Sequence, residues 1–399
     1  MSVKKHIKPR VAFFLPTPGG MTGAPRRLLT LMTALYHHCN FDVALVCDPL
    51  DRLAQEAAKA GIKILEVPTG PILSLKHGAL LSGTYRFRLK IMRELVKYNV
   101  EIAKKLRIYN PHAIWIRGSK GIAFGGLAVS MLRRPMIWDI DYELPSQGVI
   151  AFLHNIGLRL SSKVVLQYAR GVENIFGQRK AVRFRDKFVS LIPGIDFRRL
   201  SPYRDLRNQL MAKEMISSRV FRIIHVGTLT DRKNQRFTLR VLYELKQNCP
   251  DLDIELLIVG DVYESDYENA IKQDLEVYGL HPYVQLLGWR DDVPELIARS
   301  DLLVLPSKDE GVPNIVQEAM FIGCPVIASD AGGIPEIIED GRTGWILPID
   351  QPSIWAEKIS LMISQPEKLL QVSKEAALYA EKNFAVDTWA RRYSSIFMN

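Results

Sequence analysis

Long hydrophobic runs are missing from this chain of 399 residues. A membrane-spanning helix needs about 20 apolar residues, and no apolar run of 18 residues occurs here. The first apolar run, residues 11–15, ends at Pro16, which suits a buried strand and is too short for the core of a secretory signal. We therefore expect a chain that does not span a membrane and that resides in the cytoplasm.

Cysteine is scarce as well, with four in the whole chain. None of them pairs with another at the spacing of metal ligands, and the chain is too long for a disulfide scaffold. The eight histidines form neither an HxxxH nor an HExxH pair. These absences favour a reducing compartment and argue against a zinc site.

Acidic residues are few in the first half of the chain. Residues 1–200 hold 32 Lys and Arg against 13 Asp and Glu, a net charge of +19, while the whole chain has +10 and the remainder therefore −9. A basic half suggests an anionic partner, either nucleic acid or a membrane surface, and a solvated face without a partner is the alternative. No helix-turn-helix, zinc-finger or RNP signature is present, so we expect no nucleic acid.

Short apolar runs alternate with longer amphipathic stretches along the whole chain. The predicted strands are residues 11–15, 43–47, 62–67, 113–116, 136–140, 164–166 and 188–192, then 221–226, 254–259, 284–287, 302–305, 326–328 and 345–347. Helices are predicted between them, for example at 26–37, 86–108 and 121–132. This alternation, occurring twice, predicts an α/β protein with two doubly wound Rossmann-like domains.

The domain boundaries follow from composition. We predict an N-terminal domain over residues 1–200 and a C-terminal domain over 201–373, with the polar stretch 201–219 as an irregular linker. Residues 374–399 read as one helix with aromatic side chains. This helix either packs on its own domain or crosses back to the first, and we expect the crossing.

Ligands of open parallel sheets bind beyond the carboxyl ends of the strands, so the loops there are the candidate sites. The loop after the first strand contains Gly19, Gly20 and Gly23 and precedes a helix. Glycine allows close approach of the backbone to a ligand, and a helix N-terminus attracts anions. This loop is neither GxGxxG nor a Walker loop, and a simple tight turn is the equal alternative.

The first loop of the second domain begins at Gly227 and carries Thr228, Arg232 and Lys233. Lys233 stands at the start of the next predicted helix, where an ammonium group is well placed for a phosphate. A solvated surface lysine is the alternative.

The densest pattern is the segment 306–319, PSKDEGVPNIVQEA. Glu310 lies in the loop after a strand, and the turn that follows it consists of Gly311, Val312 and Pro313. The helix then exposes N–H groups near Asn314 and Ile315, which suits a diphosphate. Glu318, about one turn further, could accept hydrogen bonds from ribose hydroxyls, and the alternative is a capped helix with two surface glutamates.

Glu310 and Glu318 form the pattern EGxPxxxxEA, which resembles the signature of the retaining glycosyltransferases of family 4, proteins of the GT-B fold. Neighbouring segments resemble further family motifs in order and spacing between residues 222 and 347. They are Arg232-Lys233-Asn234, Val259-Gly260-Asp261, Leu287-Gly288, Leu305-Pro306-Ser307, Gly323-Cys324-Pro325, Gly332-Gly333 and Gly341-Arg342-Thr343-Gly344.

The resemblance implies two Rossmann-like domains facing across a cleft and transfer of a sugar, with retained configuration, from a UDP- or GDP-sugar to a glycan or lipid-linked acceptor. It implies that Lys233 neutralises the donor diphosphate and that Glu310 contacts the donor sugar. Backbone at Asn314 and Ile315 would bind phosphate and Glu318 the ribose. Many members carry an arginine where this chain has Thr228, and Arg232 is the candidate for the missing charge.

Asp139 and Asp141 read as DxD, the metal-binding motif of a different glycosyltransferase fold. We instead place Asp141 and Glu143 in a loop on the acceptor side, with a structural role as the alternative. No metal and no other cofactor are expected, and the donor is a co-substrate.

Basic residues cluster on the predicted helix 86–108, where Arg86, Lys90, Arg93 and Lys97 share one face, and again over residues 179–187. Because family members often build lipid-linked or cell-surface glycans, we expect reversible docking to the inner membrane face. The apolar face of the helix is expected to pack on the sheet, which predicts electrostatic docking without insertion. A protein of the same fold that binds sugar nucleotides without transfer is the alternative function.

Overall fold

The computed structural model describes residues 8–16, 23–74, 84–140, 146–214 and 220–398. The chain divides into two compact units. The first unit is formed by Met1–Gly194 together with Val386–Asn399, and the second by Ile195–Ala385. In place of the predicted divisions at 200 and 373, the chain passes between units at 194–195 and 385–386. Each unit is built on one parallel sheet flanked by helices.

The sheet of the first unit has the strand order β3-β2-β1-β4-β5-β6-β7, and every pairing in it is parallel. The direction of strand addition reverses between β1 and β4. The strands are β1 Arg10–Phe14, β2 Asp42–Cys47, β3 Lys63–Glu66, β4 Ala113–Arg117, β5 Met136–Ile140, β6 Lys163–Leu166 and β7 Phe188–Ser190.

The helices of the first unit lie between these strands, with one more from the end of the chain. They are α1 Gly23–His38, α2 Arg52–Lys59, α3 Gly70–Leu73, α4 Tyr85–Tyr109, α5 Gly118–Leu132, α6 Gly148–Leu160, α7 Gly171–Phe176, α8 Gln178–Arg183 and, last in the chain, α16 Val386–Met398. No helix of the described residues is both long and apolar enough to cross a bilayer.

The sheet of the second unit has the order β10-β9-β8-β11-β12-β13, again with parallel pairings. Its strands are β8 Phe221–Val226, β9 Ile254–Val259, β10 Val284–Gly288, β11 Leu302–Leu305, β12 Val326–Ser329 and β13 Trp345–Leu347. Its helices are α9 Ser201–Glu214, α10 Gln235–Asn248, α11 Ser265–Val277, α12 Val293–Ala298, α13 Asn314–Ile322, α14 Pro352–Ser364 and α15 Pro366–Phe384, with 3₁₀ turns at Phe197–Arg199, His281–Tyr283 and Ile334–Glu336.

The strands form where the apolar runs are, because a parallel sheet covered by helices buries both of its faces. In β1, Ala12 and Phe14 pack into the core on one face of the sheet, and Val11 and Phe13 pack into the core on the other. Trp389, Tyr393 and Phe397 of α16 belong to that second core. The last helix of the chain thus supplies part of the interior of the first unit.

The predicted single helix over 374–399 is wrong, because the segment contains two helices. Helix α15 ends at Phe384, and Ala385 is extended and forms a parallel bridge with Ile195. The Ile195 N–H donates to the Phe384 carbonyl over 2.8 Å. This backbone pairing breaks the helix at the point where the chain leaves the second unit.

The predicted irregular linker over 201–219 is also wrong for its first fourteen residues, which form α9. Arg207 of this helix is only 4% exposed. Its guanidinium donates to the carbonyls of Ala298 and Gly323 over 3.2 and 2.5 Å, as well as to that of Ser300. From the sequence alone, an arginine is expected to lie at the surface. The burial of Arg207 against carbonyl groups therefore explains why this helix was predicted as a linker.

Candidate functional site

The site lies at the carboxyl edge of the second sheet, between β8 and β11, where the direction of strand addition reverses. Such a switch point opens a crevice beyond the strand ends. The loop after β8 and the loop after β11 meet there. The Asn234 side-chain amide donates to the Pro306 carbonyl over 3.1 Å, and the Lys308 N–H donates to the Arg232 carbonyl over 2.8 Å.

Glu310 is the centre of this site and is 5% exposed. Its carboxylate accepts from Lys233 Nζ over 2.6 Å, from Ser307 Oγ over 2.8 Å and from Arg232 Nη1 over 3.4 Å. The Lys233 side chain is itself only 13% exposed. A buried carboxylate is tolerated when it is paired and hydrogen-bonded, so these three donors fix the position of Glu310.

The loop after β8 is tightly held. The stem of Lys233 passes over Gly227 so closely that a Cβ at residue 227 would lie 3.1 Å from it. The Gln235 amide donates to the carbonyls of Gly227 and Thr228 over 3.2 and 3.0 Å. Thr228 itself is exposed. Arg232, the candidate for the charge that is missing at residue 228, contacts Glu310 instead.

The loop after β12 packs against the main chain of Glu310 and Gly311. Gly332 has φ +53°, and a Cβ there would stand 1.7 Å from the Glu310 carbonyl oxygen. The Gly333 N–H donates to the Gly311 carbonyl over 2.8 Å. Ser329 Oγ donates to the Ser307 carbonyl over 2.6 Å. The main chain at Glu310 can lie where it does only because residue 332 has no side chain.

Helix α13 begins directly after the loop that follows β11, with Pro313 in the N-cap position. Val312 and Pro313 are buried, whereas Asn314 is exposed and Ile315 is half-buried. The start of the helix is thus open to solvent, and its N-terminal backbone dipoles favour an anion.

Glu318 lies one turn into α13, with a side chain that is 13% exposed. Its Oε1 accepts from Arg199 Nη2, at the end of the 3₁₀ turn Phe197–Arg199. Burial raises the pKa of the Glu318 carboxyl, and Arg199 partly opposes that rise. The Arg199 side chain remains 56% exposed.

His225 of β8 is fully buried close to Lys233. Its Nδ1 lies 2.8 Å from Thr238 Oγ1. Burial, and then the charge of Lys233, lower the pKa of His225 to about 3. This histidine is therefore neutral at physiological pH and adds no charge to the site.

Five residues of the first unit were predicted to lie on the acceptor side, and most of them fall outside the part of the chain that the structure describes. Gly19, Gly20, Asp141 and Glu143 lie outside the described residues, and Gly23 opens α1.

Asp139, the first aspartate of the DxD pattern, lies within β5. Its carboxylate is 3.5 Å from Arg117 Nη1 and accepts from the Tyr393 hydroxyl of α16. Among the described residues, no group of three His, Cys, Asp or Glu side chains could hold a metal ion.

Ser307, Gly332 and Arg199 are among the residues of the site that were not predicted from the sequence. Ser307 and Gly332 occur in segments that resemble family motifs, so the signal for them was present. Arg199 carried no such signal, because it stands next to Arg198 in a basic stretch and its partner is more than one hundred residues away.

Residues 220–365 match the sequence profile of a family described as "Glycosyl transferases group 1". Among curated proteins, the spore coat protein SA of Bacillus subtilis (strain 168) is 28% identical over 241 residues, which cover 57% of this chain and 63% of that protein. The match to WcaL of Escherichia coli (strain K12), named for colanic acid biosynthesis, is 25% identical and covers 82% of this chain and 83% of that one. The chain thus spans less than two thirds of the first of these relatives.

The fold is shared with several solved structures. HepE of Anabaena, crystallised with UDP, superposes with a TM-score of 0.75 over 98% of this chain and 99% of that one, at 20% identity. A second structure of HepE, with UDP-glucose, has a TM-score of 0.71 at 19% identity and the same coverage. A glycosyltransferase from Rickettsia africae gives 0.76 over 98% of both chains, at 18% identity.

Proposed function

We propose that this chain is a group 1 glycosyltransferase, which transfers a sugar, with retained anomeric configuration, from a UDP- or GDP-sugar to a glycan or lipid-linked acceptor. The observation that carries this proposal is the buried contact between Lys233 and Glu310, 2.6 Å apart at the switch point of the second sheet. The complexes of HepE with UDP and UDP-glucose favour a uridine nucleotide among the possible donors.

In this proposal the donor diphosphate lies against the N-terminus of α13. Backbone at Asn314 and Ile315, reached through the turn Gly311-Val312-Pro313, binds one phosphate. Lys233 stabilises the charge that develops on the leaving diphosphate, and Arg232 adds a second positive charge. Glu310, held by Ser307, faces the sugar where positive charge develops at the anomeric carbon.

The acceptor class is proposed from the relatives, since the name of WcaL refers to colanic acid biosynthesis, the building of a polysaccharide. A glycan or its lipid-linked precursor fits that role.

The test is incubation of the purified chain with a panel of UDP- and GDP-sugars and an extract of glycolipids and glycans, followed by nucleoside diphosphate release. One donor should be consumed in an acceptor-dependent way, and Lys233→Met should abolish the release. Binding of a nucleotide sugar without any release would leave the non-transferring binding protein as the better function. The anomeric configuration of the product, read by NMR, tests retention.

We also propose that the first unit docks on an anionic membrane surface, and the exposed face of α4 supports this. The expectation that the apolar face of this helix packs on the sheet is wrong in part. Ile91 and Ile102 are buried, but Leu89, Met92 and Val96 are 48%, 63% and 51% exposed.

The helices next to α4 in the first unit also carry exposed apolar residues. Helix α4 packs on α5, and α5 packs on α6. Exposed side chains on these two helices are Leu127, Met131, Val149 and Phe152. Exposed apolar residues on α4, beside the exposed basic residues Arg86, Lys90, Arg93 and Lys97 of the same helix, suit the headgroup region of a bilayer. We therefore now expect shallow apolar contact in addition to electrostatic attraction.

The second basic cluster contributes less than its sequence suggests. Lys187 Nζ donates to the carbonyls of Leu158 and Ser161 over 2.8 and 2.6 Å, where it supports the end of α6. Lys180 donates to Ser146 Oγ over 3.0 Å. Arg179 and Arg183 remain exposed.

Sedimentation with vesicles tests the docking. The chain should sediment with phosphatidylglycerol vesicles at low salt, less so at high salt because of screening, and not with phosphatidylcholine vesicles. The variant Met92→Ser/Val96→Ser should bind less, whereas Val277→Ser, which changes an exposed residue of the second unit, should bind as the wild type does. Equal recovery in the supernatant with both kinds of vesicle would contradict membrane docking.

A further inference from the structure

The Arg199–Glu318 pair has no counterpart in the predicted site. Glu318 lies on α13, and Arg199 ends the 3₁₀ turn Phe197–Arg199, at the beginning of the second unit. Arg199 Nη2 donates to one carboxylate oxygen, Oε1. A carboxylate can accept about four hydrogen bonds, so the pairing leaves Oε2 and the remaining lone pairs for another donor.

The turn that carries Arg199 is rigidly placed. Phe197 is buried and stacks on Phe321 of α13, with ring centroids 4.1 Å apart and planes within 2° of parallel. The Asp196 side chain caps the turn by accepting from the Arg198 N–H over 3.2 Å. Contacts with α13, the helix that carries Glu318, therefore place Arg199 beside this carboxylate.

We propose that Arg199 is a positioning residue, which keeps Glu318 ionised and oriented so that its free oxygen accepts from the donor ribose. This inference rests on the proposed function, because it assumes that a nucleotide sugar binds at α13. A carboxylate that is nearly buried prefers to be neutral unless a positive charge is close. Protonation of Glu318 would turn one of its oxygens into a donor and so weaken its ability to accept hydrogen bonds from a diol.

Among the residues that the structure describes, Arg199 is the charged group that contacts Glu318. Helices α9, α12 and α15 pack against α13, and three arginines on or beside α9 and α12 are engaged with other partners. These are Arg204 with Glu381, Arg207 with three carbonyl groups, and Arg299 with Glu295. Burial and Arg199 account for the shift in the pKa of Glu318, which burial raises and Arg199 lowers. Removing Arg199 should therefore raise this pKa further.

The experiment is the pH dependence of UDP-glucose binding by calorimetry between pH 6 and 8. UDP-glucose is the probe because its diphosphate, esterified at both ends, has no group that titrates in this range. The variant Arg199→Met keeps the length of the side chain and removes its charge. Its affinity should fall towards low pH, approaching the roughly tenfold loss per pH unit that one linked proton imposes below its pKa.

The wild type should show a much flatter profile, and Arg199→Lys should restore it in large part. Arg198→Met is the matched control, because Arg198 is the neighbouring exposed arginine and pairs with Asp196 over 2.8 Å. It should behave as the wild type. Thermal unfolding of all variants, without ligand, checks that each one folds.

Three outcomes would overturn the inference. A pH profile of Arg199→Met equal to that of the wild type would show that Arg199 does not control the protonation of Glu318. Tighter binding by Arg199→Met at all pH values would show that Arg199 obstructs the carboxylate. Failure of the wild type to bind any nucleotide sugar would overturn the proposed function together with the inference, and the wild-type titration alone distinguishes this case.

Discussion

At the scale of single residues, Glu310 is the side chain on which the proposed chemistry depends. Replacing Glu310 with Gln keeps its size and removes its charge, which matters mainly when positive charge develops on the sugar. We expect kcat to fall on the order of 100-fold, as for loss of one preorganised electrostatic contact, with a smaller change in donor affinity.

Steady-state kinetics and calorimetry separate these two effects. Asp309→Asn is the matched control, because Asp309 is the adjacent carboxylate and only its carbonyl contacts Arg232. Normal turnover by Glu310→Gln would remove Glu310 from the reacting centre.

Gly332 tests how the site is supported. A methyl group there would overlap the Glu310 carbonyl, so Gly332→Ala should displace the loop and lower both stability and donor affinity. Gly341→Ala provides the control, because Gly341 also has a left-handed φ, +75°, but has open space around it.

The control should cost about 1 kcal/mol of backbone strain, and Gly332→Ala should cost distinctly more in urea unfolding. Equal losses from the two variants would mean that the loop adapts to the methyl group.

Much of the site could be predicted from single residues in the sequence, and there is a physical reason why the rest could not. Lys233 and Glu310 were predicted and lie in contact, since each follows a strand and the two strands are neighbours. Arg199 was not predicted, because an ion pair between distant segments depends on packing that no local pattern encodes. The roles of all these residues toward a donor remain predictions.

At the scale of secondary-structure elements, the strands predicted from the sequence agree with the structure. The predicted ends of helices agree with it in some places and not in others. Every predicted strand exists, because a strand buried on both faces is a continuous apolar run. The break at Ala385 was invisible, since neither glycine nor proline marks it and pairing with Ile195 causes it. Helix α9 was mistaken for a linker because its buried Arg207 bonds to carbonyl groups.

Helix α16 gives a prediction at the same scale. Its Tyr393 is fully buried and donates to Asp139 of β5, whose other oxygen faces Arg117. Tyr393→Phe removes a hydrogen bond to a charged group and should destabilise the first unit by roughly 1.5–3 kcal/mol.

Thermal unfolding should show a lower midpoint for Tyr393→Phe. Tyr263→Phe, at a position 80% exposed, is the comparison and should leave the midpoint unchanged. If both variants unfold like the wild type, the contact does not hold α16 in place.

At the scale of the whole molecule, the sign of the charges bears on metal dependence. The proposed donor site neutralises the diphosphate with Lys233, Arg232 and a helix N-terminus. We therefore expect that no divalent cation is needed to neutralise the diphosphate. Activity should be unchanged in EDTA. Activity that is abolished by chelation and restored by Mn²⁺ or Mg²⁺ would return Asp139 and Asp141 to consideration as ligands.

The first unit is discontinuous in sequence, and this has a consequence for its biosynthesis. Residues 1–194 are translated before α16, yet Trp389, Tyr393 and Phe397 belong to one of the hydrophobic cores described for that unit. Until then, an apolar surface beside α1 and the carboxylate of Asp139 lack their final partners. Residues 1–194 therefore cannot complete that core until α16 has been translated, whereas the second unit, Ile195–Ala385, is complete in sequence before α16 appears.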